Sequence, residues 1–135
     1  YDLFYVEDPL DEEDFSGFKQ ILSSVQSRNT LIVGDDLTTT NVDRLKRALR
    51  SKSINSIIIK PNQIGSLIEV KKVVKICKEK NIKMIFSHRS GETMDDILAD
   101  YVIGFGGDFI KCGIFGKERL IKYKRIMDIE KSLKT

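Results

Sequence analysis

The feature that most constrains the fold is a short apolar run that recurs along the chain, each time followed by a polar turn and a helix-like segment. The runs cover residues 3–6, 31–33, 57–59, 84–86 and 109–110. They are continuously apolar and do not alternate with polar residues, which is typical of parallel strands covered on both faces. The spacing of roughly 25–28 residues per unit predicts a (β/α) barrel or an open, doubly wound sheet.

Between the runs, apolar residues recur at helical spacing and polar residues mark the helix starts. Residues 11–14 predict an acidic first turn for the first helix, and Asn41 predicts the cap of the second. Ser66 and Glu69 have the spacing of a capping box for the third. A last helix is predicted over 118–133, with its lysines and arginines on a solvated face.

The chain length decides how complete such a fold can be. A closed barrel of this type needs eight strands and about 250 residues, whereas this sequence has 135 residues. Either the sheet is open, or the rest of the barrel is missing. The sequence starts without a methionine and is soon in a strand-like run, so we expect a fragment of a longer protein.

Composition excludes several classes of function. The net charge of +3 is small and the lysines are scattered, which argues against nucleic-acid binding. No apolar run approaches the roughly 18 residues that span a bilayer, and nothing predicts a signal peptide. Cys77 and Cys112 lack metal-ligand spacing, so we expect reduced thiols in a cytoplasmic protein.

Each predicted strand ends in a charged or polar residue, and the carboxyl ends of parallel strands lie at the edge where sites are built. Any one of these residues is ordinarily a solvated side chain or a cap. Their occurrence at every strand end predicts a functional site. The residues are Glu7, Asp35, Lys60, His88 and Lys111.

The chemistry of four of these residues is coherent. Glu7 and Asp35 offer the oxygen ligands that Mg²⁺ takes in proteins. Lys60 and Lys111 would be neighbouring cations, and each disfavours the ammonium form of the other, so that one can act as a base. This set suits abstraction of a proton next to a carboxylate, with metal ions stabilising the enolate.

Residues 87–93 (SHRSGET) carry the only histidine of the chain and follow the fourth apolar run. Thr93 is predicted to begin the next helix. Backbone N–H groups, the Arg89 guanidinium, the Ser90 hydroxyl and a helix N-terminus would then converge, an arrangement that holds phosphate.

Five segments together resemble the C-terminal part of enolase (phosphopyruvate hydratase) in order and spacing. They are residues 6–9 (VEDP), 34–37 (GDDL), 59–65 (IKPNQIG), 87–93 (SHRSGET) and 109–113 (FIKCG). The resemblance implies an α/β fold, a partial TIM-like (β/α) barrel with about five parallel βα units. A lysine or histidine base with Mg²⁺ is known chemistry of that superfamily.

The resemblance also implies an activity, the Mg²⁺-dependent dehydration of 2-phosphoglycerate to phosphoenolpyruvate in glycolysis and gluconeogenesis. Lys60 resembles the general base that takes the C2 proton, and Lys111 the lysine that stabilises the carboxylate-enolate. His88 belongs to the same catalytic wall. The implied substrate contacts are Glu7, Lys60, His88, Arg89, Ser90 and Lys111, and the implied Mg²⁺ ligands are Glu7 and Asp35.

In this interpretation residues 1–135 form the C-terminal portion of the catalytic barrel. The remaining N-terminal part of enolase would contain the third metal carboxylate, the general-acid side and the small N-terminal domain, and it is the expected partner of this chain. We also expect a homo-oligomer. Cys112 replaces a usual threonine, for which we expect only tuning. The alternative is a non-catalytic, stand-alone half-barrel that binds a metal or an anion or pairs with another chain.

Overall fold

The computed structural model of the chain describes residues 2–25 and 29–134, in which five strands alternate with helices. The strands are β1 (Tyr5–Glu7), β2 (Leu31–Gly34), β3 (Ser56–Ile59), β4 (Lys83–Ser87) and β5 (Phe109–Lys111). The helices are α1 (Phe15–Val25), α2 (Val42–Ser51), α3 (Pro61–Ile64), α4 (Leu67–Glu79), α5 (Ile97–Phe105) and α6 (Lys117–Leu133). The chain divides into two compact units, Tyr1–Met84 and Ile85–Thr135, which we describe separately as the N-terminal and C-terminal units.

The N-terminal unit is built on three parallel strands. β1 pairs with β2 so that Glu7 lies opposite Val33, and β2 pairs with β3 so that Gly34 lies opposite Ile57. Every residue of β2 and β3 is buried, as expected for strands covered on both faces. This register brings the carboxyl ends of the three strands to one edge.

The C-terminal unit pairs β4 with β5 in parallel, with Ser87 opposite Lys111. Its buried apolar residues come from β4, from one face of α5 and from Cys112 after β5, and include Phe86 and Val102. A Cβ atom at Gly107 would lie only 2.7 Å from the Phe86 ring, so only glycine fits between α5 and β5. The alternation of parallel strands and helices in the chain confirms the predicted fold class, a partial TIM-like barrel.

The structure corrects two predicted helix-start signals, the acidic first turn of α1 and the capping box of α4. Residues 11–14 precede α1 and do not form its first turn. Asp14 is instead in the N-cap position, since its backbone carbonyl accepts the Phe18 N–H at 3.1 Å and its carboxylate accepts the Gly17 N–H at 2.8 Å. Ser66 does occupy the N-cap of α4, but within the described ranges it makes no capping hydrogen bond.

The capping box fails because its acidic member has another partner. Glu69 pairs with Lys72, with 2.6 Å between Oε1 and Nζ, on the exposed surface of α4. Asn41, by contrast, caps α2 as predicted, since its side-chain oxygen accepts the N–H groups of Asp43 and Arg44.

The helix predicted from Thr93 begins later, at Ile97. The Thr93 hydroxyl accepts the Asp95 N–H at 3.3 Å, and the Asp95 carboxylate accepts the Ile97 N–H at 2.8 Å. These local bonds compete with helical ones and hold residues 93–96 in a turn. The short helix α3, directly after Lys60, is an element that the sequence pattern did not predict.

The last helix matches its predicted range to within one residue, but its predicted solvated face is wrong at Lys122, which is only 3% exposed. Cys77 and Cys112 are both buried, and neither forms a disulfide among the described residues. In the part of the chain that the structure describes, no helix is sufficiently long and apolar to cross a membrane.

Candidate functional site

All five polar residues predicted to end strands do so. Glu7 and Lys111 are the last residues of β1 and β5, and Asp35, Lys60 and His88 directly follow β2, β3 and β4. Glu7, Asp35 and Lys60 belong to the N-terminal unit, and His88 and Lys111 to the C-terminal unit.

The N-terminal unit contains a largely buried ion pair between Asp35 and Lys60. The distance from Lys60 Nζ to Asp35 Oδ2 is 2.6 Å, and the side chains are only 15% and 10% exposed for Lys60 and Asp35 respectively. The other oxygen, Asp35 Oδ1, is buried and has no hydrogen-bond partner among the described residues. A buried carboxylate oxygen without a partner is costly, so this atom is available to a ligand.

Opposing influences act on the Asp35 carboxyl. Its burial raises the pKa, and the negative charges of Glu7 and Asp36 act in the same direction. The hydrogen bond and the positive charge of Lys60 lower the pKa, but the net shift is upward. The positive charge of Lys60 therefore does not fully compensate for the burial of the carboxylate and for its acidic neighbours. A further cation at this site would be favourable.

Lys60 is held in place through its backbone. Its N–H donates to Thr40 Oγ1 at 2.9 Å, and that hydroxyl lies 3.1 Å from Gln63 Oε1 in α3. Thr40 is completely buried, and Pro61 supplies the first residue of α3 directly after Lys60. The sequence did not indicate this role of Thr40, because the residue occurs in a run of threonines.

Glu7 lies at the end of β1 beside a tyrosine. The Tyr5 hydroxyl donates to Glu7 Oε2 at 2.7 Å. Burial raises the pKa of Tyr5 far above its usual value, and the hydrogen bond to Glu7 adds to the shift. Tyr5 therefore remains a proton donor that orients the Glu7 carboxylate at any physiological pH.

A second acidic residue, Asp8, shapes the same edge. It adopts a left-handed backbone conformation with a φ of 37°, and its carboxylate accepts the N–H groups of Asp35 and Asp36 at 2.9 and 2.7 Å. Carboxylate oxygens of Asp8, Asp35 and Asp36 all lie within 4.8 Å of one another. The sequence could have indicated this cluster through its adjacent acidic residues, Glu7-Asp8 and Asp35-Asp36. The cluster shares Asp35 with the predicted pair of metal ligands, Glu7 and Asp35.

In the C-terminal unit, His88 contacts an arginine from α6. Arg119 Nη1 lies 3.1 Å from His88 Nδ1, and it also donates to the Cys112 carbonyl at 3.4 Å. Burial lowers the pKa of His88, and the positive charges of Arg119 and Lys111 lower it further, against the opposing effect of Glu92. His88 is therefore neutral near pH 7 and accepts a hydrogen bond from Arg119.

Lys111 is brought close to His88 by the sheet. Its carbonyl accepts the His88 N–H at 3.0 Å, next to the pairing of Ser87 with Lys111. The following residue, Cys112, hydrogen bonds to Tyr123 and raises the pKa of that tyrosine to about 12. The C-terminal unit thus unites His88 with Lys111, as the sequence predicted.

Arg89 and Ser90 are exposed in the turn between β4 and α5. The predicted helix N-terminus does not adjoin them, because α5 begins only at Ile97. The turn is instead attached to α6, through a buried ion pair between Glu92 and Lys122. Sequence reasoning missed Arg119 and Lys122, because they occur in a helix with many exposed basic residues.

The sequence of the chain is similar to those of known proteins. The family described as enolase, C-terminal TIM barrel domain, matches residues 1–135. The enolase of Picrophilus torridus is 46% identical over 130 residues, which is 96% of this chain and 32% of the relative. The enolases of Methanocorpusculum labreanum and Thermoplasma acidophilum are each 44% identical, over 96% and 98% of this chain. The chain spans about a third of the length of these curated relatives.

Proposed function

Because the chain belongs to the family of enolase C-terminal TIM barrel domains, we propose that it supplies the base side of an enolase active site. The reaction is the dehydration of 2-phosphoglycerate to phosphoenolpyruvate, in which C2 loses a proton and C3 loses hydroxide. One observation carries the proposal: the lysine proposed as base and a carboxylate proposed as metal ligand form a buried pair at 2.6 Å.

Lys60 is the residue we assign to the C2 proton. Its ammonium group neutralises Asp35 in the structure, and its backbone is fixed by Thr40. With a metal ion held by Asp35, that neutralisation would not require Lys60, which would act as a base in its amine form after its ammonium group had released a proton to solvent. The proton moves from C2 to Nζ, and the electron pair of the C–H bond remains on the substrate as a carboxylate-enolate.

The residues present fit a divalent metal. Family membership implies such an ion, and we propose Mg²⁺, held by Glu7 and Asp35. The buried Asp35 Oδ1 without a partner among the described residues supports this, and so does a donor set made of carboxylate oxygens. When bound, Mg²⁺ supplies positive charge that stabilises the negative charge developing on the substrate carboxylate.

The C-terminal unit supplies the contacts that we assign to the rest of the substrate. Arg89 and Ser90 are exposed polar residues on one turn, suited to the phosphate group. Lys111 contributes positive charge for the carboxylate-enolate, and the neutral His88 offers a ring nitrogen next to it. Since the carboxylate-enolate gains charge as the proton leaves, a fixed cation stabilises it more than it stabilises the substrate.

The complementary part of the site is proposed to lie in the remaining N-terminal part of enolase. That part would contain the general acid, a third metal carboxylate and the first barrel strands, and residues 1–135 would form the C-terminal portion of the catalytic barrel. The length of the relatives, of which this chain spans about a third, supports this division. We expect the isolated chain to be nearly inactive, since an absent acid costs about 10²–10⁴-fold.

A chimera tests the proposal. This chain replaces the matching third of the Picrophilus torridus enolase, to which it is 46% identical, and phosphoenolpyruvate formation from 2-phosphoglycerate and Mg²⁺ is followed. We expect activity in the chimera and little in the chain alone. A chimera that folds, as judged by a cooperative thermal transition, but forms no phosphoenolpyruvate would overturn the proposal.

The second candidate is the non-catalytic half-barrel that pairs with another chain. The observation in its favour is the exposure of Ile114 and Phe115, three and four residues after the end of β5, at 84% and 88%. Where such groups belong to a large contiguous apolar patch, they mark a surface that another protein covers. A stable dimer of the isolated chain by light scattering, together with an inactive but folded chimera, would favour this candidate.

A further inference from the structure

Lys122 of α6 is a buried charged residue that the proposed chemistry does not use. It is 3% exposed, whereas its helical neighbours Lys117 and Lys124 are exposed. Its ammonium group donates to the carbonyls of Glu118 and Thr93 at 2.6 and 2.9 Å. It also forms an ion pair with the Glu92 carboxylate. All three partners are acceptors, which is the environment that a buried ammonium group requires.

Glu92 connects this buried group to the turn that carries Arg89 and Ser90. Its Oε2 pairs with Lys122, while its Oε1 accepts the backbone N–H of Arg89 at 3.4 Å. The carboxylate is itself only 13% exposed. One side chain therefore joins α6 to the backbone of the residue that we assign to the substrate phosphate.

The local bonds of Thr93 and Asp95 fix only the later part of the turn, residues 93–96. Residues 88–96 belong to no helix or strand, and α5 begins only at Ile97. A buried ion pair contributes little net stability compared with apolar packing, so folding alone gives weak reason for a lysine at this position. A charge-assisted network does, however, fix the geometry of the groups it joins.

We infer that Lys122 is a positioning residue: through Glu92 it holds the turn that carries Arg89 and Ser90 in the conformation that binds an anion. The identity of that anion, the phosphate group of a phosphorylated hydroxy acid, rests on the proposed function. Arg119 lies about one helical turn before Lys122 on α6 and contacts His88. The same helix therefore contacts both His88 and the turn that follows it.

The first test uses the 135-residue chain and needs no ligand. Amide hydrogen exchange is measured by NMR in Lys122→Met and in the matched variant Lys124→Met, which removes an exposed lysine of the same helix. Loss of the buried partner is expected to release Glu92 and speed exchange at the Arg89 amide by about tenfold or more. The His88 amide, bonded to the Lys111 carbonyl, is the internal control and should change far less.

The second readout is the affinity of the chain for inorganic phosphate, measured by titration of the Arg89 and Ser90 amide shifts. Lys122→Met is expected to weaken binding by about tenfold. Val102→Ala, a truncation in the core of the C-terminal unit, serves as the control for lost stability and should leave the affinity unchanged. If Lys122→Met does not fold because Glu92 is left buried without its cation, the double variant Glu92→Met/Lys122→Met takes its place, since it removes both charges together.

The outcomes separate the two ideas. An Arg89 amide that exchanges no faster in Lys122→Met and in the double variant than in the unsubstituted chain would overturn the inference. Lys122→Met could speed exchange at the Arg89 amide although the unsubstituted chain binds no phosphate. That result would support the positioning role and count against the proposed substrate. Equal loss of phosphate affinity in Val102→Ala and Lys122→Met would reduce Lys122 to a merely structural residue, and would overturn the inference.

Discussion

Lys60 Nζ and Asp35 Oδ2 lie 2.6 Å apart although the two residues are 25 positions apart in the sequence and follow different strands. The parallel pairing of β2 and β3 creates this contact, because it aligns the carboxyl ends of the strands. The pair unites two groups with separate proposed roles, a proton acceptor and a metal ligand. A change in one partner therefore alters the charge that the other experiences.

Loss of the Lys60 charge should destabilise the chain in the absence of metal. Lys60→Met leaves Asp35 buried without its cation, and we expect a loss of roughly 3 kcal/mol in the free energy of unfolding at pH 7. Urea denaturation measures this loss, with the exposed Lys46→Met as the control. A loss no greater than that of the control would show that the pair behaves like a surface salt bridge.

Metal binding should distinguish the proposed ligands from the neighbouring acidic cluster. We expect Glu7→Gln and Asp35→Asn each to weaken Mg²⁺ affinity by about tenfold or more in calorimetric titrations of the chain. Asp36→Asn, which alters an exposed member of the cluster, should have a smaller effect. If Asp36→Asn were more damaging than Glu7→Gln, the ligand set would be the cluster of Asp8, Asp35 and Asp36.

The pKa of His88 should lie below the usual histidine value of 6.5, because burial and the nearby Arg119 both disfavour its protonation. It is the only histidine, so its NMR signal is unambiguous. Arg119→Gln removes one cation and should raise the His88 pKa toward 6.5. An unchanged His88 titration in this variant would show that Arg119 has no electrostatic effect on the ring.

The same shift has a consequence for stability. Because the folded-state pKa of His88 is depressed, the unfolded chain binds its proton more readily. The stability that His88 contributes is therefore complete above pH 6.5 and is lost as the pH falls through the folded-state pKa. Arg119→Gln should flatten this part of the stability profile, as measured by urea denaturation between about pH 5 and 7.

Two N-cap residues should differ in their effect on stability. Asn41 accepts two backbone N–H bonds at the start of α2, so Asn41→Ala should cost about 1 kcal/mol in the free energy of unfolding. Ser66 occupies the same position in α4 without a capping hydrogen bond in the described structure, and Ser66→Ala should cost at most a few tenths. Equal losses in the two variants would contradict this contrast.

The repeat of apolar runs was sufficient to predict the strands. Each predicted run overlaps its observed strand, and each polar residue predicted at a strand end lies there, because burial on both faces leaves an unmistakable apolar pattern. Helix boundaries were less certain. At Thr93 and Glu69, hydrogen bonds to nearby groups compete with capping, and the sequence spacing does not show which of them forms.

Contacts between distant segments were the part that sequence reasoning could not supply. Lys122 looks like the other lysines of α6, and only the folded structure shows that it reaches the Thr93 carbonyl, 29 positions away. Asp8 follows Glu7 directly, yet its carboxylate binds the backbone of the segment after β2. Such pairings depend on the register of the sheet and the position of a helix, which residue spacing alone does not encode.

The most direct test of Lys60 as the base is the exchange of the C2 proton of 2-phosphoglycerate with deuterium oxide, measured in the chimera and in its Lys60→Ala variant. We predict exchange in the chimera with the original residue and none detectable in Lys60→Ala, with Mg²⁺ affinity largely retained. Loss of exchange would agree with Lys60 as the base. Undiminished exchange in Lys60→Ala would remove this residue from that role and contradict the account.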